Sequence, residues 1–262
     1  MAGFLETHPN PRDLTVEIVI PVLNEAHVLA RSVATVREFL AANLQARWRI
    51  LIVDNGSTDG TRQVASDLAA AHSDVALVHL DQRGRGRALR YAWMQSQADI
   101  VGYMDVDLST ELAAVPRAVK ALTEEGFDIA IGSRLLPQSQ VKRSRQREFI
   151  SRCYNVFIKA VLWTRFSDAQ CGFKFLKREL AQRLLPQAKD ESWFLDTELL
   201  VLAEKQGFRI CDLPVIWIED DDSRVKIVST AWEDIKGVLR LRRLLWSRNF
   251  KDAALHGKRA LS

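Results

Sequence analysis

The chain has 262 residues, 47% of them apolar, and a formal net charge of +4. That length allows one large α/β domain or two small ones, and so mild a charge does not by itself imply a nucleic-acid partner. The three cysteines, Cys153, Cys171 and Cys211, have no metal-ligand spacing and point to reduced thiols, and no apolar run reaches the roughly 18 residues of a membrane span. Residues 1–14 have no apolar signal core and read as a flexible lead-in. Thr15–Leu23 is an apolar run suited to a strand covered on both faces. Asn24 can cap the helix that follows and Glu25 favours its first turn. That helix runs to about Ala42, with Val28, Leu29, Val33, Val36, Phe39 and Leu40 at helical spacing. Arg49–Val53 is the second strand, and a run of turn formers from Asp54 to Thr61 closes it. A helix to about His72 and a third strand, Val75–Leu80, come next. Gly84, Arg85 and Gly86 open a helix to about Ser96, and Ile100–Met104 is a fourth strand running into Asp105 and Asp107. Alternate strand residues share a face, so the two carboxylates can point into one cleft. There they repel each other, and a hard divalent cation with oxygen ligands would satisfy them.

Strand and helix alternate four times, which predicts a parallel sheet with helices on both faces. Ligands of such sheets bind beyond the carboxyl ends of the strands. The unusual residues fall there: Asn24 and Glu25, Asp54, the glycine turn, and the Asp105/Asp107 pair. A dinucleotide fingerprint is excluded by placement, because the first strand is followed by PVLNEA without glycine, and no P-loop is present. The glycine turn can still bring backbone amides and arginines to phosphate oxygens.

In the second half, Phe127–Ile131 is a strand ending in Gly132, Ser133 and Arg134, and an arginine at that position can grip phosphate bidentately. A basic run, Lys142–Arg147, precedes an amphipathic helix from Glu148 to Trp163, whose apolar stripe suits either a core or a membrane interface. Asp168 begins a turn, DAQCG. Asp196 and Glu198 start a further helix, a strand follows from about Phe208, and Glu219–Asp222 is an acidic, solvated loop. The last helix, about Val228 to Trp246, is apolar on one side and basic at its end. Residues 142–165 carry a net +6 and residues 236–252 a net +5, which leaves −7 for the rest of the chain. That asymmetry favours a polyanionic surface such as anionic lipid. No helix-turn-helix, finger or aromatic RNA-binding signature accompanies it, so nucleic acid is not expected.

PVLNEA, VDNGSTDGT, GRGRALRYA and MDVDLST, in this order, resemble the nucleotide-sugar half of the family 2 glycosyltransferases. With Gly-Ser-Arg, the basic helix and DAQCGFK, the chain resembles the polyprenyl-phosphate and dolichyl-phosphate sugar synthases of that family, and looks nearest to the dolichyl-phosphate glucosyltransferase branch. The resemblance implies a GT-A fold, a Rossmann-like, mostly parallel α/β sheet with helices on both faces, plus amphipathic interfacial helices. It divides the chain into a transferase domain over 15–226, with a nucleotide-sugar half (15–134) and an acceptor half (135–226), and a basic helix and tail over 227–262. By the same resemblance, Pro21, Asn24, Glu25 and Asp54 meet the base and ribose, and Gly84, Arg85 and Gly86 belong to the nucleotide-sugar site. Asp107 binds Mg²⁺ or Mn²⁺, with Asp105 beside it holding the nucleotide-sugar. Arg134, Arg147, Ser223 and Arg224 meet the acceptor phosphate, with the diphosphate equally open for Arg134 and Arg224, and Asp168 positions sugar or acceptor. Asn55 departs from the acid found in many relatives.

The expected reaction is inverting, metal-dependent transfer of a hexose, glucose first, from a UDP-sugar to polyprenyl or dolichyl phosphate, with GDP-mannose also open as donor. The expected setting is peripheral, on the cytoplasmic face of a membrane, with a separate membrane-spanning partner as an option. Two alternatives stand beside it. One is a soluble family 2 enzyme acting on a sugar hydroxyl, with Asp196 as its base; the other is a nucleotide-sugar-binding regulator without catalysis.

Overall fold

A computed structural model describes residues 13–219 and 227–246, with side chains from 233 onward in the second stretch. Most of the lead-in, the acidic loop after Glu219, Ser223, Arg224 and the tail beyond 246 lie outside the described residues. The first half runs β1 (Thr15–Val22), α1 (Ala26–Asn43), β2 (Arg47–Asp54), α2 (Thr61–Ala71), β3 (Val75–His79), α3 (Arg85–Gln95), β4 (Ile100–Met104), α4 (Ala114–Thr123) and β5 (Ile129–Ser133). The apolar run of β1 is explained by two cores. Ile18, Ile20 and Val22 face Leu29, Val33, Val36 and Leu40 of α1, while Val19 joins Trp93, Val101 and Tyr103 on the other side. Successive residues of a strand point to opposite faces, so covering both faces demands apolar residues at every position.

The second half adds β6 (Gln140–Lys142), α5 (Arg145–Leu162), β7 (Phe173–Lys177), α6 (Arg178–Leu184), α7 (Leu195–Lys205), β8 (Ile210–Pro214), β9 (Ile216–Ile218) and α8 (Ile227–Trp246). The main sheet has the order β3-β2-β1-β4-β7-β5-β8. It is parallel except for β7, which is antiparallel to both β4 and β5. From sequence, only a turn at Asp168 is expected here, and no strand is assigned to the residues that follow. The pattern of β7 is Phe173, Lys174, Phe175, with a lysine in the middle of a buried run. Lys174 is only 2% exposed, and its Nζ lies 2.7 Å from the Cys171 carbonyl and 3.6 Å from Asp196. A buried charge is tolerated when it is paired, and the partner comes from a distant helix.

The chain crosses from β1 to β2 on one side and returns through β3 to β4 on the other, which makes the β1/β4 boundary the switch point of the sheet. A small second sheet, β6 with β9, stands beside it. An isolated bridge between Thr110 and Trp217 ties that ribbon to the segment after β4. Helices α5 and α8 pack on each other, yet each leaves an apolar stripe outward. Phe149, Val156 and Trp163 are 65–69% exposed, and Leu239 and Trp246 are exposed beside them. The Arg242 guanidinium sits between the rings of Trp163 and Trp246, 5.0 and 4.9 Å from their centroids.

Candidate active site

Parallel strands deliver their last residues to one edge of the sheet, and the polar residues of this chain gather there. β4 stops at Met104, and residues 105–108 form a turn closed by the Leu108 amide on the Asp105 carbonyl (3.2 Å), with Leu108 at φ 53°. The Asp pair is therefore brought together by a turn, not by strand alternation as the sequence suggested. Asp107 is exposed, and its Oδ1 accepts only the Ser109 amide at 2.9 Å. Asp105 is turned toward Arg85 and Gly172, with its side chain 38% exposed. Its Oδ1 takes an N–H of Arg85 at 3.2 Å. Its Oδ2 occupies the space beside Gly172, where a Cβ would stand 1.6 Å away. Only glycine fits at that position. Burial pushes the Asp105 carboxyl up, Arg85 opposes this, and Asp107 and Asp196 add to the rise.

Arg85 is the hub of the acidic side. It also donates to Asp196 Oδ2 at 2.7 Å and stacks between Tyr103 and Trp193, 4.6 and 4.7 Å from their ring centroids. The Tyr103 hydroxyl donates to the same Asp196 oxygen at 2.6 Å. Burial opposes the charges of both Arg85 and Asp196, but the network outweighs it. Arg85 is held protonated by the carboxylates, and Asp196 is held below the usual carboxylate range by Lys174 and Arg85. Buried Tyr103 is pushed well up.

The basic side stands at the end of β5. Arg134 donates to Asp168 through its backbone amide (3.1 Å), Nε (2.7 Å) and Nη2 (3.0 Å), and the Gln170 amide adds a fourth bond at 3.2 Å. Asp168 is fully buried. Burial alone would raise its carboxyl, but Arg134 holds it down at about 2. Asp168 thus anchors Arg134 and has no free edge toward a substrate. The Arg134 guanidinium lies 5.4 Å from the Trp217 ring centroid. The loop 168–172 joins the two sides, because Asp168 holds Arg134 at one end and the Gly172 carbonyl receives the Asp105 amide at the other (3.2 Å).

Several expected residues are used differently. Asn24, at φ 59°, does not cap α1; its Oδ1 receives the Thr58 amide (2.8 Å) and its own amide donates to Ser57 Oγ (2.9 Å). Glu25 takes the N-cap position without a side-chain cap bond, and its amide donates to Thr61 Oγ1. Pro21 is the penultimate residue of β1, in register with Val53. Asp54 is fully buried, with Ser57 N on Oδ1 (3.1 Å) and His79 Nδ1 on Oδ2 (2.8 Å), so it ties the loop after β2 to the end of β3. Gly84 and Gly86 bring their backbone against Glu191 and Ser192, where a Cβ would come within 2.5–2.9 Å of backbone atoms. Their close approach is thus to the 190s loop. Arg147 is ion-paired with Glu219. Tyr103, Lys174 and His79 are not singled out by sequence. Only Lys174, a charge inside an apolar run, left a signal.

Among the described residues no group of three or more His, Cys, Asp or Glu could hold a metal. Asp107, with one oxygen lightly engaged and the other open, fits a hard cation that draws most of its ligands from a diphosphate and water. It does not fit a cation caged by protein alone.

Residues 17–185 match the Glycosyl transferase family 2 domain. The chain is 35% identical over 215 residues to Glycosyltransferase AglD of Haloferax volcanii, covering 81% of this chain and 34% of that protein, so it spans about a third of that relative. It is 28% identical to Dolichyl-phosphate beta-glucosyltransferase ALG5C of Trichomonas vaginalis, over 94% of this chain and 76% of that one. Among solved structures it resembles glucosyl-3-phosphoglycerate synthase from Mycobacterium tuberculosis, in complex with Mn²⁺, uridine diphosphate and glucosyl-3-phosphoglycerate. The TM-score is 0.66 at 19% identity, covering 87% of this chain and 80% of that one.

Proposed function

The chain belongs to glycosyl transferase family 2, a GT-A-fold transferase that uses a nucleotide sugar, and from that premise we propose its acceptor and setting. It moves a hexose, glucose first, from UDP to the phosphate of a polyprenol at a membrane surface, with inversion at the sugar carbon. The observation that carries this reading is the opposition of charge across two strand spacings, about 10 Å. The carboxylates at the end of β4 and the guanidinium at the end of β5 flank β7 and share the loop 168–172. A donor diphosphate on the acidic side and an acceptor phosphate on the basic side would put the sugar between them.

A divalent cation, Mg²⁺ or Mn²⁺, held by Asp107 would neutralise the leaving diphosphate as a Lewis acid. Arg85 fixes Asp105 toward the donor, and Arg134, immobilised by Asp168, orients the acceptor. An acceptor phosphate oxygen forms the bond to the anomeric carbon as the bond from that carbon to the diphosphate breaks, and the electron pair leaves with the nucleoside diphosphate. A phosphomonoester has its second pKa near about 6 and is already nucleophilic at neutral pH, so no protein base is required. Asp168 and Asp196 are both held below the carboxylate range, which makes them poor bases and disfavours a hydroxyl acceptor.

The relatives named as dolichyl-phosphate glucosyltransferases support the lipid phosphate. The outward apolar stripes of α5 and α8, with their tryptophans and arginines, support approach to the bilayer from the side where nucleotide-sugars are made. No helix among the described residues is long and apolar enough to cross a membrane. The test is incubation with radiolabelled UDP-glucose, polyprenyl phosphate and Mg²⁺ or Mn²⁺, followed by organic extraction. Label is expected in the organic phase; label found only on water-soluble acceptors would overturn the reading.

A further inference from the structure

Besides exposed Arg145, four arginines surround the start of α5, and among the described residues carboxylates answer three of them. Asp168 is engaged by Arg134, Glu219 by Arg147 and the Ser144 amide, and Glu148 by Arg152 at 2.7 and 2.9 Å. The fourth, Arg143, is half-buried, and its Nε and Nη2 are shielded from solvent with no hydrogen-bond partner. A guanidinium has five N–H donors and no acceptor, so burying it unpaired is costly unless an anion completes it. The position of Arg143 is fixed. It directly follows β6, whose Lys142 carbonyl receives the Glu219 amide at 2.9 Å, and it precedes the Ser144 cap of α5. β9, the partner of β6, carries Trp217, whose ring lies under Arg134. The ribbon thus sets Arg143 near Arg134, and burial together with the Arg134 charge lowers its hold on its proton, while Asp168 and Glu148 act the other way without a hydrogen bond to it. Arg134 has itself given only Nε and one Nη2 hydrogen to the Asp168 side chain.

We infer that Arg143 binds the acceptor's phosphate through its unpartnered N–H groups together with the remaining N–H groups of Arg134, and that these donors select a phosphomonoester over a hydroxyl. The inference rests on the acceptor-phosphate reading above, yet binding can be tested apart from transfer. Citronellyl phosphate and citronellol serve as probes in calorimetric titrations of the full chain, with UDP titrated as a check on the donor side and on folding. Wild-type protein is expected to bind the phosphate and not the alcohol. Arg143→Ala should weaken citronellyl phosphate by about 10–100-fold, the loss of hydrogen bonds to a charged group, and leave UDP affinity unchanged. Arg143→Lys should recover part of the loss, and Arg152→Ala, whose guanidinium already has Glu148, should recover wild-type behaviour. Wild-type affinity should rise as pH passes about 6, where the phosphate gains its second charge, and this rise should flatten in Arg143→Ala.

Equal phosphate affinity in Arg143→Ala and wild type overturns the inference, and so does a parallel loss of UDP affinity. Failure of the wild type to bind the phosphate does the same. If the phosphate binds through Arg143 but no nucleotide-sugar donates to it, the inference stands and the proposed reaction falls.

Discussion

The acidic and basic ends of the site follow one plan with the charges reversed. At the end of β4, Asp105 is answered by Arg85 from within the fold, while Asp107 stands out with a single backbone bond. At the end of β5, Arg134 is answered by buried Asp168, while the Nε and Nη2 of nearby Arg143 have no hydrogen-bond partner among the described residues. Each end thus has one charge that the fold completes and one that it leaves open. The completed charges hold the geometry, because an ion pair buried with several hydrogen bonds is rigid, and Arg134 still keeps N–H groups that Asp168 does not use. The open charges are where ligands gain most, since neither has to break a protein contact to bind.

That distinction predicts unequal consequences for the two aspartates after β4 and for their basic counterparts. The largest loss of activity should come from Asp107→Ala. Removing the open carboxylate should lower sugar transfer by on the order of 10³-fold, the scale of losing a group that stabilises transition-state charge. The melting temperature should stay near wild type, because Asp107 is exposed and supports no buried group. Turnover near the wild-type rate would break the comparison at its acidic end.

The answered charges should respond through stability. Asp168→Ala leaves Arg134 buried without its partner, and should cost about 3–5 kcal/mol in urea unfolding. The folded pKa of Asp168, about 2, lies below that of an unfolded aspartate, so its contribution is full above about pH 4 and is lost as pH falls toward 2. Asp168→Asn should lack that acid-side loss. Asp234 of α8 should behave oppositely and more weakly. It is buried and accepts Gln170 Nε2 at 2.7 Å, and burial raises its carboxyl to about 6. Its folded pKa lies above the unfolded value, so it lowers stability as pH rises from about 4 to 6. Asp234→Asn should therefore gain up to about 3 kcal/mol at pH 8 and nothing at pH 4, read from unfolding curves at the two values. A loss at both would show that the carboxylate is needed in its charged form.

How much of this was legible in the sequence follows from how local each feature is. The four βα units of the first half announced themselves, because a strand covered on both faces must be apolar throughout and its turn residues follow at once. β7 was hidden. Lys174 interrupts its apolar run, and the charge makes sense only once Asp196, brought up by α7, is placed beside it. The same reason explains the arginines of the basic run. Spacing does not separate Arg143 from Arg147 in the basic run, and only the family resemblance favours Arg147; which one Glu219 takes depends on the pairing of β6 with β9. Asp54 and Asp168 were read correctly as strand-end and turn carboxylates. Whether they would face a ligand or the interior was set by His79 and Arg134, one strand or one loop away.

The smallest expected effects lie on the face shared by α5 and α8, where no charge is buried and contributions are shallow. Its tryptophans flank Arg242, which also donates to the Val161 carbonyl, so this cation is partly fixed and the rings are held at the surface. Arg145 and Arg243 are exposed at the two helix ends. Vesicles containing anionic lipid should bind the chain reversibly, and rising salt should weaken that binding, because charges are screened beyond about 8 Å at physiological ionic strength. Each of Arg145→Gln and Arg243→Gln should lower vesicle affinity by roughly fivefold, the equivalent of about 1 kcal/mol per basic residue near the surface. Phe149→Ser should act through a different term, losing buried apolar area, so its effect should persist at high salt where those of the arginines fade. None of the three touches Asp107 or the Arg134–Asp168 pair, so nucleotide affinity should be unchanged in all of them. Flotation with and without salt separates these outcomes. Binding that ignores anionic lipid, salt and all three substitutions would place the apolar stripe against something other than a bilayer.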